Sequence, residues 1–227
     1  MARDPEPGPR RTSGTGMDAG TRHCARGAAA PDRELGEAAP LPLVPAIATE
    51  ARCAVRTAAL LSRHRIRQPR RNVGRRITFA DGTTGEVYRE TVIQGAPRTD
   101  PVVLVVGFRL LGARSERAHA LFRCESELNT VLFAGFPGLV SKLWLRHDER
   151  CRYRGVYEWD GADRAVAYVR ALWWALALVS DPASIGYAVL PGLRPDQVLA
   201  DPGVIGTVTT AEGGWWRPVR VEGSATA

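Results

Sequence analysis

Lys142, Trp144, Tyr157 and Trp159 are the residues of this chain whose types and spacing could do chemistry. Lys142 and Trp144 stand two apart in one apolar run, residues 139–145. Tyr157 and Trp159 stand two apart in the next, residues 153–159. Residues two apart on a strand share a face, so a hairpin made of these runs gathers all four on one wall. Aromatic walls carrying one cation and one phenol suit a planar anionic or phenolic ligand. Lys142 could stabilise an enolate or phenolate, and Tyr157 could hydrogen-bond a developing oxyanion. On the apolar stripe of the preceding helical segment, Glu125 and Asn129 fall four residues apart. A carboxylate on such a stripe is costly unless it is paired or faces a wet cavity. Asn129 could orient a carbonyl. These observations give Tyr157, Asn129 and Lys142 as candidate catalytic residues. Trp144, Trp159, Glu125, Phe122 and Trp173 are the candidate substrate-binding residues. The bland alternative makes Trp144 and Trp159 ordinary core residues and lets Lys142 snorkel to solvent. In it, Glu125 and Asn129 are a stripe-edge pair reaching water.

Other chemistries find little footing. Ser115, Cys124 and Cys151 have no base nearby in sequence, so nucleophilic catalysis by hydroxyl or thiol is not indicated. Cys24, Cys53, Cys124 and Cys151 form no C-x-x-C pair and read as free thiols of a reducing cytoplasm. The four histidines are scattered without metal-ligand spacing. His119 falls off the apolar stripe and reads as exposed. No glycine-rich phosphate loop follows a strand. The expectation is a protein without a cofactor.

The net charge of +7 suggests a nucleic-acid partner until it is located. Residues 1–76 hold 15 arginines against 7 acids, a net of +8. Residues 77–227 hold 16 basic side chains against 17 acids, a net of −1. A basic groove for phosphates is therefore not expected in the folded part. The stretch 63–76 could serve as a nucleic-acid arm, or it is a solvated linker. Lys142 is the sole lysine among 31 basic residues, which reads as GC-rich codon bias. No secretory signal and no run of bilayer-spanning length is visible. The expectation is a cytoplasmic chain without membrane contact.

The elements that must position the candidates follow from periodicity. Residues 1–44 lack it and are expected to be disordered; residues 45–63 could form a short helix. Ordered structure is expected from Ile77, where two strands flank the Asp81–Gly82 turn. In the second of these strands Glu86, Arg89 and Glu90 are expected to stay partly solvated. Residues 102–111 form a strand apolar on both faces, which asks for cover on both sides. One layer of helices covers one face, so a second subunit is the simplest cover for the other. A helix over 115–135 follows, with Ala118, Leu121, Phe122, Leu128 and Leu132 recurring. Next come the 139–145 and 153–159 hairpin and a helix over 162–180, started by Asp160 or Asp163. Its stripe is Ala165, Val166, Val169, Leu172, Trp173, Leu176 and Val179. A short strand over 185–190 ends the core unit. Residues 204–209 could add an edge strand, and Trp215-Trp216 could anchor the tail. The expected divisions are a 1–76 extension, a 77–200 domain with an N-terminal hairpin, and a 201–227 edge strand and tail.

From Val102 the order is strand, helix, strand, strand, helix, strand. This is the α+β, ferredoxin-like βαββαβ sandwich. The phrase Pro137-Gly138-Leu139, Lys142, Trp144, then Gly155-Val156-Tyr157, resembles the YdhR-type monooxygenase-like family over residues 100–192. That family belongs to the dimeric α/β-barrel superfamily of the antibiotic-biosynthesis monooxygenases. The resemblance implies a homodimer closed sheet to sheet and a cavity between each sheet and its own helices. It implies a small-molecule enzyme, in the best-studied members a cofactor-independent monooxygenase acting on an aromatic or polyketide-like substrate. Some members of the superfamily degrade haem, and a fold alone does not carry an activity. Two alternatives stand beside it: a non-catalytic ligand-binding or structural dimer of the same fold, and a nucleic-acid-associated protein acting through the Arg-rich arm.

Overall fold

The computed structural model describes residues 39–111, 133–211 and 214–223. The elements are α1 (Leu43–Ser62), β1 (Ile66–Arg67), β2 (Arg76–Phe79), β3 (Thr84–Ile93), β4 (Pro101–Arg109), β5 (Leu139–Leu145), β6 (Arg152–Asp160), α2 (Ala162–Val179), β7 (Gly186–Pro191), α3 (Pro195–Ala200) and β8 (Pro218–Glu222). The expected helix over 115–135 lies almost wholly outside the described residues, and Phe122, Glu125, Asn129, His119 and Cys124 lie outside with it.

All strands join one antiparallel sheet in the order β7-β4-β6-β5-β3-β2-β8, with β1 pairing β3. Its centre, β7-β4-β6-β5, is the strand order that a split βαβ unit requires, and α2 crosses from β6 to β7. The N-terminal hairpin extends the sheet beyond β5. β3 pairs β5 through Val87–Val92 and β2 through Thr84–Glu86, with a register shift at Val87/Arg89 where the strand turns from one partner to the other. The sheet curls there, and β2 and β8 fold over one of its faces. Gly82 supplies the positive φ, +79°, that the Asp81–Gly82 turn needs.

The two apolar faces of β4 are both buried, as its sequence asks, but the cover is the chain's own. Val102, Leu104 and Val106 pack towards α2 and α1 with Tyr157, Trp159 and Tyr168. Val103 and Val105 pack on the other side with Leu143, Val156, Ala188 and Leu190 of the sheet. Val198 and Leu199 of α3, Ile205, Trp215-Trp216, and Ile77 and Phe79 of β2 cover them. A second subunit is not needed to bury this face, because the C-terminal segment already does. Its apolar residues are few and separated by polar ones, so each contributes one contact without announcing a covering layer. Residues 204–209 are not an edge strand. A 3-10 turn covers 202–207, and the edge strand is β8. Trp216 is fully buried and anchors the tail as expected.

Order begins well before Ile77. α1 buries Ala46, Cys53 and Thr57 and lies against α2. Arg170 Nε donates to the Ala39 carbonyl at 2.8 Å, and Trp174 Nε1 donates to that of Leu41 at 2.8 Å. A Cβ on Gly135 would lie 2.8 Å from the Thr57 amide nitrogen and closer still to the Cys53 carbonyl, so the chain meets the helix backbone there. The arginine-rich stretch is partly consumed by internal partners. Arg71 bridges Glu90 and Asp196, and Asn72 donates backbone and side-chain N–H to Glu90 at 3.3 and 3.2 Å. Glu90 is therefore buried, not partly solvated, because its charge is met by a segment 18 residues upstream. Arg89 is buried too, its guanidinium 4.0 Å from the centre of the Trp144 ring. Asp160 does not cap α2. Its Oδ1 accepts from Thr99 and Asp100, which holds its carboxyl below the usual range, and the cap position is Gly161.

Cys151 is disulfide-bonded, while Cys53 is a buried thiol outside any disulfide. The expectation of four free thiols is thus corrected. Linear spacing carries no information about which cysteines meet in space, and the inference from free thiols to a reducing compartment loses that support. Among the described residues no helix is long and apolar enough to cross a membrane.

Candidate functional site

The β5–β6 register brings the predicted wall together. Lys142 sits directly opposite Tyr157, and Trp144 opposite Gly155. The missing side chain at Gly155 matters, because a Cβ there would lie 2.7 Å from Tyr157 Cε2. The phenol ring lies back over the glycine, beside Trp144. A register shift between Leu139 and Ser141 puts Leu139, not Val140, into the cluster that Lys142's face shares with Trp159.

Between this wall and α2 lies a cavity of about 270 Å³. Lys142, Trp144 and Tyr157 line it from the sheet, with Tyr88 and Val106 from neighbouring strands. Tyr168, Leu172, Ala175 and Leu176 close it from α2, and Phe133 from the turn before β5. Leu178 and Val179 stand at its rim, 82% and 42% exposed. Trp159 is not a lining residue. It is fully buried, with its ring 5.0 Å from that of Tyr168, and belongs to the core. Trp173 is half-buried on the flank of α2 and does not reach the cavity. The stripe that faces the sheet is Ala165, Tyr168, Val169 and Leu172, with Leu176 packing against it. Tyr168 stands three after Ala165 and four before Leu172, so helical spacing could have found it in place of Val166.

Lys142 is the unusual member. Its side chain is buried, against the alternative in which it snorkels to solvent. Its Nζ lies 3.2 Å from the centre of the Trp144 ring, 4.3 Å from that of Phe133 and 4.6 Å from that of Tyr157. Among the described residues no carboxylate pairs with it. Ring faces attract an ammonium by about 0.5–2 kcal/mol each, which does not replace its hydration. Burial, then the Arg89 charge over the same indole, pushes the Lys142 ammonium well below the ordinary lysine range.

The phenols form the second polar feature. Tyr168 donates its hydroxyl proton to the Tyr157 oxygen at 3.1 Å. Burial raises both hydroxyls above the ordinary tyrosine range, so both are neutral. Tyr157 keeps its own O–H for a ligand. Behind Tyr168, α1 presents Glu50, whose two carboxylate oxygens are buried without a partner among the described residues. Burial pushes that carboxyl up to about 7. The neighbouring Cys53 thiol is pushed up to about 11, mainly by burial, and is therefore protonated and inert. Among the described residues no group of three or more His, Cys, Asp or Glu side chains could hold a metal ion.

Neither the protein-family models nor the curated proteins contain a match to this chain. Among solved structures, one uncharacterised ferredoxin-fold protein from Listeria monocytogenes, described as related to antibiotic biosynthesis monooxygenases, is similar at 13% identity with a TM-score of 0.36. The match covers 50% of this chain and 66% of the other, just under two thirds of its length. At that TM-score the fold reading rests on the strand order and not on the match.

Proposed function

We propose that this chain is a small-molecule-binding enzyme whose substrate enters the cavity between the sheet and α2. The observation that carries the reading is Lys142, a buried amine without a carboxylate partner among the described residues, in an aromatic cavity. A planar, mostly apolar ligand with one acidic hydroxyl answers both features. The neutral amine takes the proton of a phenol or enol, and the ammonium then holds the phenolate or enolate in place. Tyr157 donates a second hydrogen bond to the same oxygen.

An electron-rich anion held away from water is the species that reacts directly with oxygen. The cavity therefore supports the finer reading of a cofactor-independent monooxygenase on an aromatic or polyketide-like substrate, in the manner that the resemblance to YdhR-type proteins implies. The ferredoxin-like βαββαβ unit belongs to the same proposal; the β7-β4-β6-β5 order and the α2 crossover support it. The homodimer loses its original argument, because the face assigned to a partner is covered by the chain itself.

The test is a screen of hydroxyaromatics, naphthols and anthrones among them, by quenching of tryptophan fluorescence and by oxygen uptake. Binding with oxygen uptake, both lost in Lys142→Met, supports the oxygenase. Binding without uptake leaves a ligand-binding module on the same fold. No binding by any of them contradicts the cavity's role.

A further inference from the structure

The chain has 31 basic residues and only one of them is lysine. That one lysine is the amine in the cavity. Arginine would keep its charge at this place under any ordinary condition. Lysine can shed it, and a neutral amine is a nucleophile. The surroundings favour the neutral form. Nζ sits among three aromatic rings, the nearest cation is Arg89 over the shared indole, and no carboxylate among the described residues restores the charge. Amines desolvated in this way, or set beside another cation, are the ones that condense with carbonyl compounds.

We propose that Lys142 forms an imine with an aldehyde or ketone bound in the cavity, so that the site takes apolar carbonyl compounds covalently and reversibly. This rests on the cavity being the ligand site. The Nζ lone pair attacks the carbonyl carbon, and the carbonyl π pair moves to oxygen. A proton passes from nitrogen to that oxygen and gives a carbinolamine. Protonation of the hydroxyl and loss of water leave the C=N bond. No oxidant or reductant is involved, and the products are one imine and one water. Tyr157 is positioned to assist. Its oxygen accepts from Tyr168 at 3.1 Å, which leaves its own O–H to hydrogen-bond the carbonyl oxygen and to accompany that oxygen as it departs. Val106, Phe133, Leu172 and Leu176 give the cavity an apolar side, so the carbonyl compound must be apolar where it meets them.

Having one lysine makes the test clean. The full chain is incubated at neutral pH with 2-naphthaldehyde, and binding is followed by tryptophan quenching before and after borohydride is added. Hydride reduces the imine to a stable secondary amine, which adds the mass of the probe less one oxygen atom. Peptide mapping locates it. The expected result is one adduct per chain, on Lys142, lost when the chain is unfolded in urea before the probe is added. Lys142→Arg and Lys142→Met should both lose it while retaining native circular dichroism. 2-Naphthol, which fits the same space and has no carbonyl, should protect Lys142 from the aldehyde. Quenching without any adduct overturns the imine and leaves the cavity's role standing. An adduct confined to the terminal amine, or formed equally in the unfolded chain, also overturns it. Absence of both quenching and adduct overturns the imine and the proposed function together.

Discussion

The two faces of one sheet treat a buried cation in opposite ways. On the face covered by α3 and the C-terminal segment, Arg154 is fully occupied. Nη1 donates to Asp148 at 2.6 Å, Nε to the Trp215 carbonyl at 2.6 Å and Nη2 to Thr83 at 2.8 Å, with Asp81 3.5 Å away. Asp148 in turn accepts the backbone N–H of Arg150 and Arg152. The network ties the β5–β6 turn, the β2–β3 turn and the tail into one unit. On the face covered by α2, Lys142 has rings and space. The first arrangement satisfies every partner and locks structure. The second leaves a group whose charge is not balanced, beside a cavity. A buried cation alone therefore says little; its partners decide whether it is scaffold or site.

The comparison breaks most visibly at Arg154. Arg154→Met leaves the buried Asp148 without its cation and Asp81 with Arg150 alone, and such removals typically cost about 3–5 kcal/mol. Urea unfolding should show a loss of that size. A loss below about 1 kcal/mol would mean that the network is dispensable.

Two glycines sharpen the contrast in packing. A Cβ on Gly107 would lie 2.5 Å from Trp215 Cζ3, and one on Gly155 2.7 Å from Tyr157 Cε2. The distances are similar, but only the tyrosine has a cavity to move into. Gly107→Ala should cost about 1–3 kcal/mol as overpacking. Gly155→Ala should cost less and should show its effect in ligand affinity instead. Equal losses of stability would remove the distinction between a filled face and a face with room.

Lys142→Met should do the reverse of Arg154→Met. Replacing an uncompensated buried amine by an apolar chain of similar length should leave stability unchanged or raise it at pH 7, while ligand binding is lost. The sign follows from linkage. The folded state holds Lys142 below its unfolded value, so the unfolded chain binds more protons between the two. The wild type therefore gains stability as pH rises through that window, and the variant does not. A melting temperature that drops by many degrees in the variant would give Lys142 a structural role.

The smallest effect belongs to Glu50. Burial raises its carboxyl from 4.5 to about 7, so the stability that goes with the protonated form is complete below about 4.5 and declines as pH rises to about 7. Glu50→Gln should flatten that decline, by a few degrees at most since the residue is partly exposed. Melting curves of both proteins between pH 4 and 8 give the comparison directly.

Much of this contrast was legible in the sequence, and the parts that were not share a cause. Two apolar, aromatic-rich runs over 139–145 and 153–159, split by a charged turn, give the hairpin; residues two apart on a strand share a face, which places Lys142, Trp144 and Tyr157 on one wall, and the structure brings these three together. The two-sided apolar β4 correctly asks for two covers. What covers the second face was not legible, because α3 and the 3-10 turn are each six residues long and show no period of their own. Trp159 and Trp173 were placed by strand parity and by the helical stripe, whereas depth and the helix's true rotation decide which aromatic reaches a cavity. Glu90 looked solvated because the residues that satisfy it, Arg71 and Asn72, come from a stretch whose composition reads as linker. The lone lysine was visible from the start. Its meaning came only when no carboxylate among the described residues was found beside it.

The most direct measurement is the titration of Lys142 itself. Chain grown on lysine carrying carbon-13 at the ε position gives one side-chain resonance, since the sequence has one lysine. Its chemical shift is followed from pH 5 to 11 in the folded protein, and again in urea as the reference. The account predicts a folded-state midpoint well below the urea value and a shift back upwards when a hydroxyaromatic ligand fills the cavity. A midpoint at the ordinary lysine value of about 10.4 in both states would contradict it.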